Sequence, residues 1–406
     1  MTTTLDPSQA AAVEVMVRAR FGCVTGPPGS GKTTTLGAAL ARLDADGLDR
    51  RAIRLAAPTG KAARRMAQAT GRDASTIHRL LGWTRRGWTY DAANPLDAEC
   101  VYVDEASMID YEIALALLDG TRRSRLVLIG DADQLPPVGI GRMFGDLIDA
   151  GVVPVARLRT NHRAAEGSWV IRNAPEVLTG GPLELETSSG FRWVTVDDAA
   201  AIPSAVRAAV ALAPDPTACV VLAPQYAGAA GCDALNLALD GLLNREPMYV
   251  GMPTLPRGDG KLAIRRGARV IQTRNNYDLD VMNGEIGLVE DIDTRDRKVV
   301  VSFDELKRVI TYEGDDSYAL QPAYALTVHK TQGSEFPRVI VVCHSTNTHM
   351  LSRSILYTAI TRAKQHVTLI GDERGLARAL KTDAARRQTS LVERLGGTLD
   401  EVEASI

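Results

Sequence analysis

The stretch that most restricts this chain is Gly26-Pro27-Pro28-Gly29-Ser30-Gly31-Lys32-Thr33-Thr34. A short apolar run (Phe21, Cys23, Val24) precedes it and reads as a buried strand. The residues that follow, Leu36, Ala38, Ala39, Leu40 and Leu43, have the spacing of a helix packed on a sheet. This is a P-loop in the strand–loop–helix context that the motif requires. Its glycines let backbone N–H groups turn inward around an anion at a helix N-terminus. Lys32 brings a point charge to the β- and γ-phosphates, and the Thr33 hydroxyl is a candidate ligand for Mg²⁺. The expected fold is therefore α/β.

Other strand ends carry polar residues in a related pattern. Cys100-Val101-Tyr102-Val103 runs into Asp104-Glu105, which suits one carboxylate for Mg²⁺ (Asp104) and one that polarises a water (Glu105). Leu126–Gly130 leads to Gln134, placed to hydrogen-bond a γ-phosphate and sense its loss. Ile53–Ala57 ends in Pro58-Thr59-Gly60-Lys61, followed by Arg64 and Arg65. Small and basic residues there suit a phosphate backbone, although a solvated helix face is the plain alternative. His78 is a candidate of the same kind, since a lone histidine is as readily structural. Upstream, Asp6 and Pro7 open a helix, and the Gln9 amide can present a donor and an acceptor to an adenine edge. Residues 83–98, with Trp83, Arg85, Arg86, Gly87, Trp88 and Tyr90, read as an inserted β-hairpin. Its tryptophans serve either as a pin that meets a base pair, with Trp88 as candidate, or as core.

The 406 residues allow two or three domains. A composition of 45% hydrophobic and 24% charged residues is that of a globular protein without a membrane span, and the N-terminus does not read as a signal peptide. A net charge of −2 neither advertises nor excludes nucleic-acid binding, which needs only a local basic groove. Cys23, Cys100, Cys219, Cys232 and Cys343 form no CxxC pair and read as buried free thiols of a reducing cytoplasm. Past residue 160 the strand–helix alternation resumes without a second P-loop, with strands expected at Cys219–Ala223, Arg269–Thr273, Val339–Cys343 and Val367–Ile370. Three short alternating runs within 286–320 predict an inserted all-β module. The cluster around Arg274, Asn275 and Asn276 suits either a ligand or a turn. Thr327-Val328-His329-Lys330-Thr331-Gln332-Gly333-Ser334-Glu335 is dense in polar groups and could touch both nucleotide and strand. Arg163 and Arg362 stand beside polar motifs, as arginines donated to a developing phosphoryl charge would. The tail after Asp372 reads as helical.

The order of these motifs resembles that of superfamily 1 DNA helicases, above all the RecD-like, 5′→3′ branch (superfamily 1B). The resemblance runs from about Gln9 to about Gly371, and its most specific parts are His329–Pro337 and Asn283-Gly284-Glu285-Ile286-Gly287. In length the sequence is similar to the compact phage helicase Dda rather than to RecD-like chains with a long N-terminal extension. The resemblance implies two RecA-like, doubly wound parallel-sheet lobes, 1–160 and 161–406, with a pin at 83–98 in the first and a small β-barrel at 286–320 in the second. It implies ATP·Mg²⁺ bound between the lobes by Gln9, Gly26 to Thr34, Gln134, Arg163, Gly333, Glu335 and Arg362. Single-stranded DNA would meet Pro58, Thr59, Lys61, His78, Trp88, Asn276, Thr327, His329 and Lys330. The implied activity is that of a monomeric, cytoplasmic ATP-dependent helicase acting on single strands and 5′-tailed duplexes. A translocase that strips proteins without unwinding, and a nucleotide-gated DNA-binding module, share the same residues.

Overall fold

A computed structural model describes residues 5–160, 169–185, 190–244, 254–255, 264–303 and 306–383. The chain divides into two compact units, the first formed by residues up to 166 and the second by residues 167–384.

The first unit is built on six strands: β1 (Phe21–Thr25), β2 (Ile53–Ala57), β3 (Ala74–Thr76), β4 (Cys100–Val103), β5 (Arg125–Gly130) and β6 (Val155–Arg157). They form one sheet in the order β3-β2-β4-β5-β1-β6, with every pairing parallel. A parallel sheet buries both faces, which is why its strands read as continuous apolar runs. Along β4, Cys100 and Tyr102 join a core with Leu36, Leu40 and Ile129, while Val101 and Val103 join another with Leu128, Phe144 and Leu147. Because all six strands run the same way, Gly26, Pro58, Asp104 and Asp131 leave the sheet along one edge.

The second unit has its own parallel sheet of β7 (Phe191–Thr195), β8 (Cys219–Ala223), β16 (Ala325–Thr327), β17 (Phe336–Cys343) and β18 (Ala363–Gly371), in the order β16-β8-β17-β18-β7. Between β8 and β16 the chain builds a separate module. Strands β9 (Thr254–Leu255) and β10 (Ile264–Arg265) pair with each other. Strands β11 (Arg269–Gln272), β12 (Ile286–Asp293), β13 (Lys298–Phe303), β14 (Arg308–Glu313) and β15 (Leu320–Pro322) form an antiparallel sheet ordered β14-β13-β12-β11-β15. Alternate residues of β13 (Val299, Val301, Phe303) are buried with Val270, Val289 and Tyr312. All five cysteines are buried and free. Burial pushes the thiols of Cys23, Cys232 and Cys343 up to about 12 and raises those of Cys100 and Cys219.

Three expectations are corrected. The inserted hairpin at 83–98 is a tight turn, closed by one bridge between Thr84 and Gly87. Beyond it Asp91 accepts from the N–H groups of Ala93 and Asn94, and the Asn94 amide donates to the Thr89 carbonyl, so side chains take the place of a strand ladder. The all-β module is larger than 286–320: its sheet begins at Arg269 and ends at Pro322. Arg269–Thr273 accordingly belongs to this module and not to the parallel sheet, because Val270 and Ile271 pair antiparallel with both β12 and β15. The tail reads as helix Glu373–Lys381, and its remainder from residue 384 lies outside the described residues.

Candidate functional site

At the carboxyl end of β1 the chain turns through Gly26–Gly31 into helix Lys32–Ala45. Gly31 caps that helix at φ 79°, a left-handed conformation that a side chain would resist, and supplies no side-chain cap of its own. Among the described residues the N–H groups of Lys32, Thr33 and Thr34 have no backbone acceptor, whereas Thr35 N–H already reaches the Gly31 carbonyl. An uncapped helix start with its dipole is a place for an anion. The Lys32 ammonium lies over the loop, donating to the carbonyls of Gly26 (2.6 Å) and Pro27 (3.1 Å). Thr33 is half-buried and Thr34 exposed. Gln9 is only 4% exposed: its amide N–H reaches the Ser30 carbonyl (3.4 Å) and its oxygen accepts from Asp6 N–H (3.1 Å), completing a capping box. In this arrangement Gln9 buttresses the loop.

Asp104 and Glu105 follow β4 on the same edge. Asp104 accepts from Glu105 N–H (2.8 Å). Burial and the neighbouring Glu105 charge push its carboxyl up to about 6, against the lowering effects of that hydrogen bond and of the Lys32 ammonium. Glu105 itself sits at φ 53° and ψ 39°, left-handed for a residue with a Cβ. Non-glycine residues held there are strained and concentrate at sites where a side chain must be aimed. After β5, the buried Asp131 accepts from the Gln134 amide (3.0 Å), leaving the Gln134 amide oxygen buried and without a partner. Ser30 Oγ and Ser107 Oγ are orphaned in the same way. Three such atoms along one strand edge mark a place built for a polar ligand. Asp131 and Ser107 were not singled out from sequence, although both lie beside residues that were. Open N–H groups, a lysine ammonium and a carboxylate raised by burial together fit a nucleoside triphosphate with its cation, with Thr33 and Asp104 as the residues to hold the metal.

In the second unit, the pairing of Phe336 with Ala363 brings Gly333–Glu335 beside Arg362. Arg362 is 4% exposed, its guanidinium donating to the carbonyls of Thr358 (3.1 Å) and Ser334 (3.3 Å). Glu335 stands 3.8 Å from the Lys364 ammonium, and Gly333 occupies the turn before β17. Thr327 is buried at the end of β16 and His329 is half-buried in the turn that follows. Lys330 donates to Gln321 (3.0 Å) and lies 5.3 Å from the Tyr226 ring centre. Asn276 closes a turn, pairing with Val281 and accepting from Leu279 N–H, so its backbone and amide oxygen are engaged in local structure. Arg163 lies outside the described residues.

Of the remaining first-unit candidates, Pro58 is half-buried at the end of β2, Thr59 caps helix Gly60–Thr70 through Ala62 N–H, and Lys61 is buried in that helix. His78 clusters with two tryptophans, its ring centre 5.4 Å from Trp88 and 6.1 Å from Trp83, which lie 6.4 Å from each other. Trp88 leans on the apolar core, whereas Trp83 is 53% exposed. The free aromatic of this cluster is thus Trp83, not Trp88.

Comparison with known proteins matches three families in chain order. An AAA domain covers residues 4–196, an ATP-dependent RecD-like DNA helicase SH3 domain covers 235–303, and a UvrD-like helicase C-terminal domain covers 322–370. The chain is 34% identical to the ATP-dependent RecD2 DNA helicase of Deinococcus radiodurans over 96% of its own length and 52% of that protein's. It is 32% identical to the RecBCD enzyme subunit RecD of Mycolicibacterium smegmatis, over 95% of its own length and 74% of that protein's. It therefore spans about half the length of the first relative and about three-quarters of the second. The Pif1 helicase of Bacteroides, solved in complex with ADP-AlF3 and single-stranded DNA, shares the fold at a TM-score of 0.58 and 18% identity, over 98% of both chains. The two parallel sheets, the intervening β-module and these matches lead to one conclusion: the chain belongs to the RecD-like family of ATP-dependent DNA helicases.

Proposed function

We propose that this chain is an ATP-driven motor that moves 5′→3′ along single-stranded DNA and separates duplexes bearing a 5′ tail. The observation that carries this reading is the uncapped helix start at Lys32 beside the strained Glu105 and the orphaned Gln134 oxygen. The N–H groups of Lys32 to Thr34 and the Lys32 ammonium bind the phosphates of ATP. Glu105 takes the proton of the attacking water. Gln134, held by Asp131, positions that water or the terminal phosphoryl oxygen. Thr33 and Asp104 hold Mg²⁺, which when bound neutralises charge on the phosphates. Arg362 and Arg163 are the candidate donors of guanidinium charge to the developing phosphoryl charge. The Bacteroides relative carries an ATP-like ligand and single-stranded DNA together, which supports both substrates. The motor acts as a single chain in the cytoplasm.

Opening one base-pair step costs about 1.4 kcal/mol, and stacking a base on an aromatic ring gains about 1–3 kcal/mol. One exposed ring can therefore offset about one step, and the exposure of Trp83 supports it for that role. Trp83→Ala is expected to leave DNA-stimulated ATPase within about two-fold of wild type while reducing strand separation several-fold. Trp88→Ala instead lowers thermal stability, because Trp88 is packed on the core. A second reading, a translocase that displaces proteins without unwinding, draws support from the four-residue turn that stands where a longer pin was expected. Strand-separation assays on 5′-tailed and 3′-tailed duplexes decide between them. Unwinding of the 5′-tailed substrate alone, lost in Lys32→Ala, upholds the proposal. ATP hydrolysis without unwinding of either substrate upholds the second reading.

A further inference from the structure

At the opposite edge of the first sheet from the P-loop lies a cavity of about 750 Å³ that plays no part in the scheme above. It opens at the amino-terminal ends of β2 and β3, between Ile53 and Ala74. In the strand order it lies at the β3 border, four strands away from β1 and the P-loop that follows it, roughly 19 Å at about 4.8 Å per strand. Five arginines line it: Arg50, Arg51, Arg54, Arg72 and Arg79. They come from three neighbouring pieces of chain: the turn into β2 with β2 itself, the turn after helix Gly60–Thr70, and helix Ile77–Leu80. Among the described residues three carboxylates are recorded beside them, one being Asp49, which accepts from Arg51 N–H (2.9 Å). Asp44 pairs with Arg50 (2.7 Å) and Arg72 (2.6 Å), and Asp73 lines the cavity. Among the described residues Arg51, Arg54 and Arg79 make no ion pair, and one terminal nitrogen of Arg72 is buried without a hydrogen-bond partner. In a chain whose net charge is −2, this is a local excess of guanidinium groups with donors unused.

We infer that this cleft is a second nucleic-acid contact, binding a phosphodiester backbone on the side of the first unit away from the nucleotide. Guanidinium forks match phosphate oxygens in geometry as well as charge. Chain continuity favours nucleic acid over an acidic peptide. Leu80 lines the cleft, and three residues later come the exposed Trp83 and then Arg85 and Arg86, aromatic and basic groups interleaved as base stacking and phosphate contact require. The source of the backbone is the duplex ahead of the motor or the strand that it displaces.

The test measures affinity against salt concentration for the full chain and for Arg51→Ala/Arg79→Ala, using three probes: a short single strand, a 5′-tailed duplex, and a fork with an additional non-complementary tail. Neither side chain makes a tertiary hydrogen bond among the described residues, so folding is expected to be unchanged, with single-strand-stimulated ATPase as the control. The inference expects the salt slope to fall by about 2 on a duplex-bearing probe, with unchanged affinity for the short single strand. A loss shared by tailed duplex and fork identifies the duplex as the source. A loss on the fork alone identifies the displaced strand. Asp73→Asn, which removes the cleft's free acid, should tighten the same probe by about two-fold. Unchanged slopes on all probes overturn the inference, as does an equal loss on the short single strand, which would make the cleft part of the motor's own track. Competition by polyglutamate in preference to DNA overturns it in favour of an acidic protein. Because ATPase and single-strand binding are read separately, failure here leaves the motor reading standing.

Discussion

The two parallel sheets each send one strand into a loop and a helix that begins beside it, and the two helix starts have opposite fates. In the first unit the loop after β1 leaves the N–H groups of Lys32, Thr33 and Thr34 open. In the second, the loop after β8 folds onto itself ahead of helix Cys232–Leu243. The N–H of Gly231 reaches the Gly228 carbonyl, Cys232 that of Gln225 and Asp233 that of Tyr226. A Cβ on Gly231 would lie 2.3 Å from two of the loop's carbonyl oxygens, so the closure depends on glycine. Asp233 then places a negative charge in the first turn of this helix, whereas the first turn of the other carries Lys32. The second helix has other work: its Asp240 pairs with Arg265 at 2.8 Å, both buried, and accepts from the Tyr324 hydroxyl, while Asn236 bonds the backbone of Tyr324 and Ala325. Asn244 reaches the Arg266 carbonyl. One scaffold thus leaves N–H donors open in one copy and anchors a β-module in the other, decided by a few loop residues.

The comparison breaks most visibly at Glu105. Glu105→Gln is expected to reduce single-strand-stimulated turnover by about 10²–10⁴-fold while nucleotide binding, measured by fluorescence titration, survives. Retained turnover would remove the first unit's claim to the chemistry. Next in size is Arg265→Ala, which leaves Asp240 as a buried uncompensated charge and should cost about 3–5 kcal/mol in denaturant unfolding of the second unit. Nucleotide affinity at the first should not move. Smaller is Asp104→Asn. A carboxyl that holds its proton more readily when folded stabilises the fold in the protonated form. That contribution is complete below the ordinary value of 3.8 and is lost as pH rises through about 6. The amide variant should therefore be more stable than wild type at pH 8, by about 3 kcal/mol, and indistinguishable at pH 3.5, as thermal melts without nucleotide would read. The least effect belongs to Asp233→Asn, about 0.3–1 kcal/mol of lost helix-dipole stabilisation, with no gain of phosphate affinity.

These contrasts also explain what could be read from residues alone. The strands Ile53–Ala57 and Cys219–Ala223 were legible end to end because a parallel strand buried on both faces is an apolar run. The edge strands Ala74–Thr76 and Val155–Arg157 were not, being three residues long with no period to detect. Arg269–Gln272 had the right composition for either sheet, and only its antiparallel partners decide its place. At the site, motif spacing picked out Lys32, Asp104, Glu105 and Gln134. It could not indicate that Gln9 spends both ends of its amide on the cap and the loop, since that depends on Asp6 and Ser30 meeting in space. The packing of Trp88 on the core and the exposure of Trp83 were equally hidden, because both tryptophans flank the same basic turn.

The enclosure of every native thiol has a practical outcome. With all five cysteines buried and their pKa values raised, the protein offers little thiolate to maleimide reagents. A cysteine introduced on the exposed turn, as in Arg85→Cys, would take a fluorophore at one address without the native ones first being removed. The movements of each unit during turnover could then be followed one labelled position at a time.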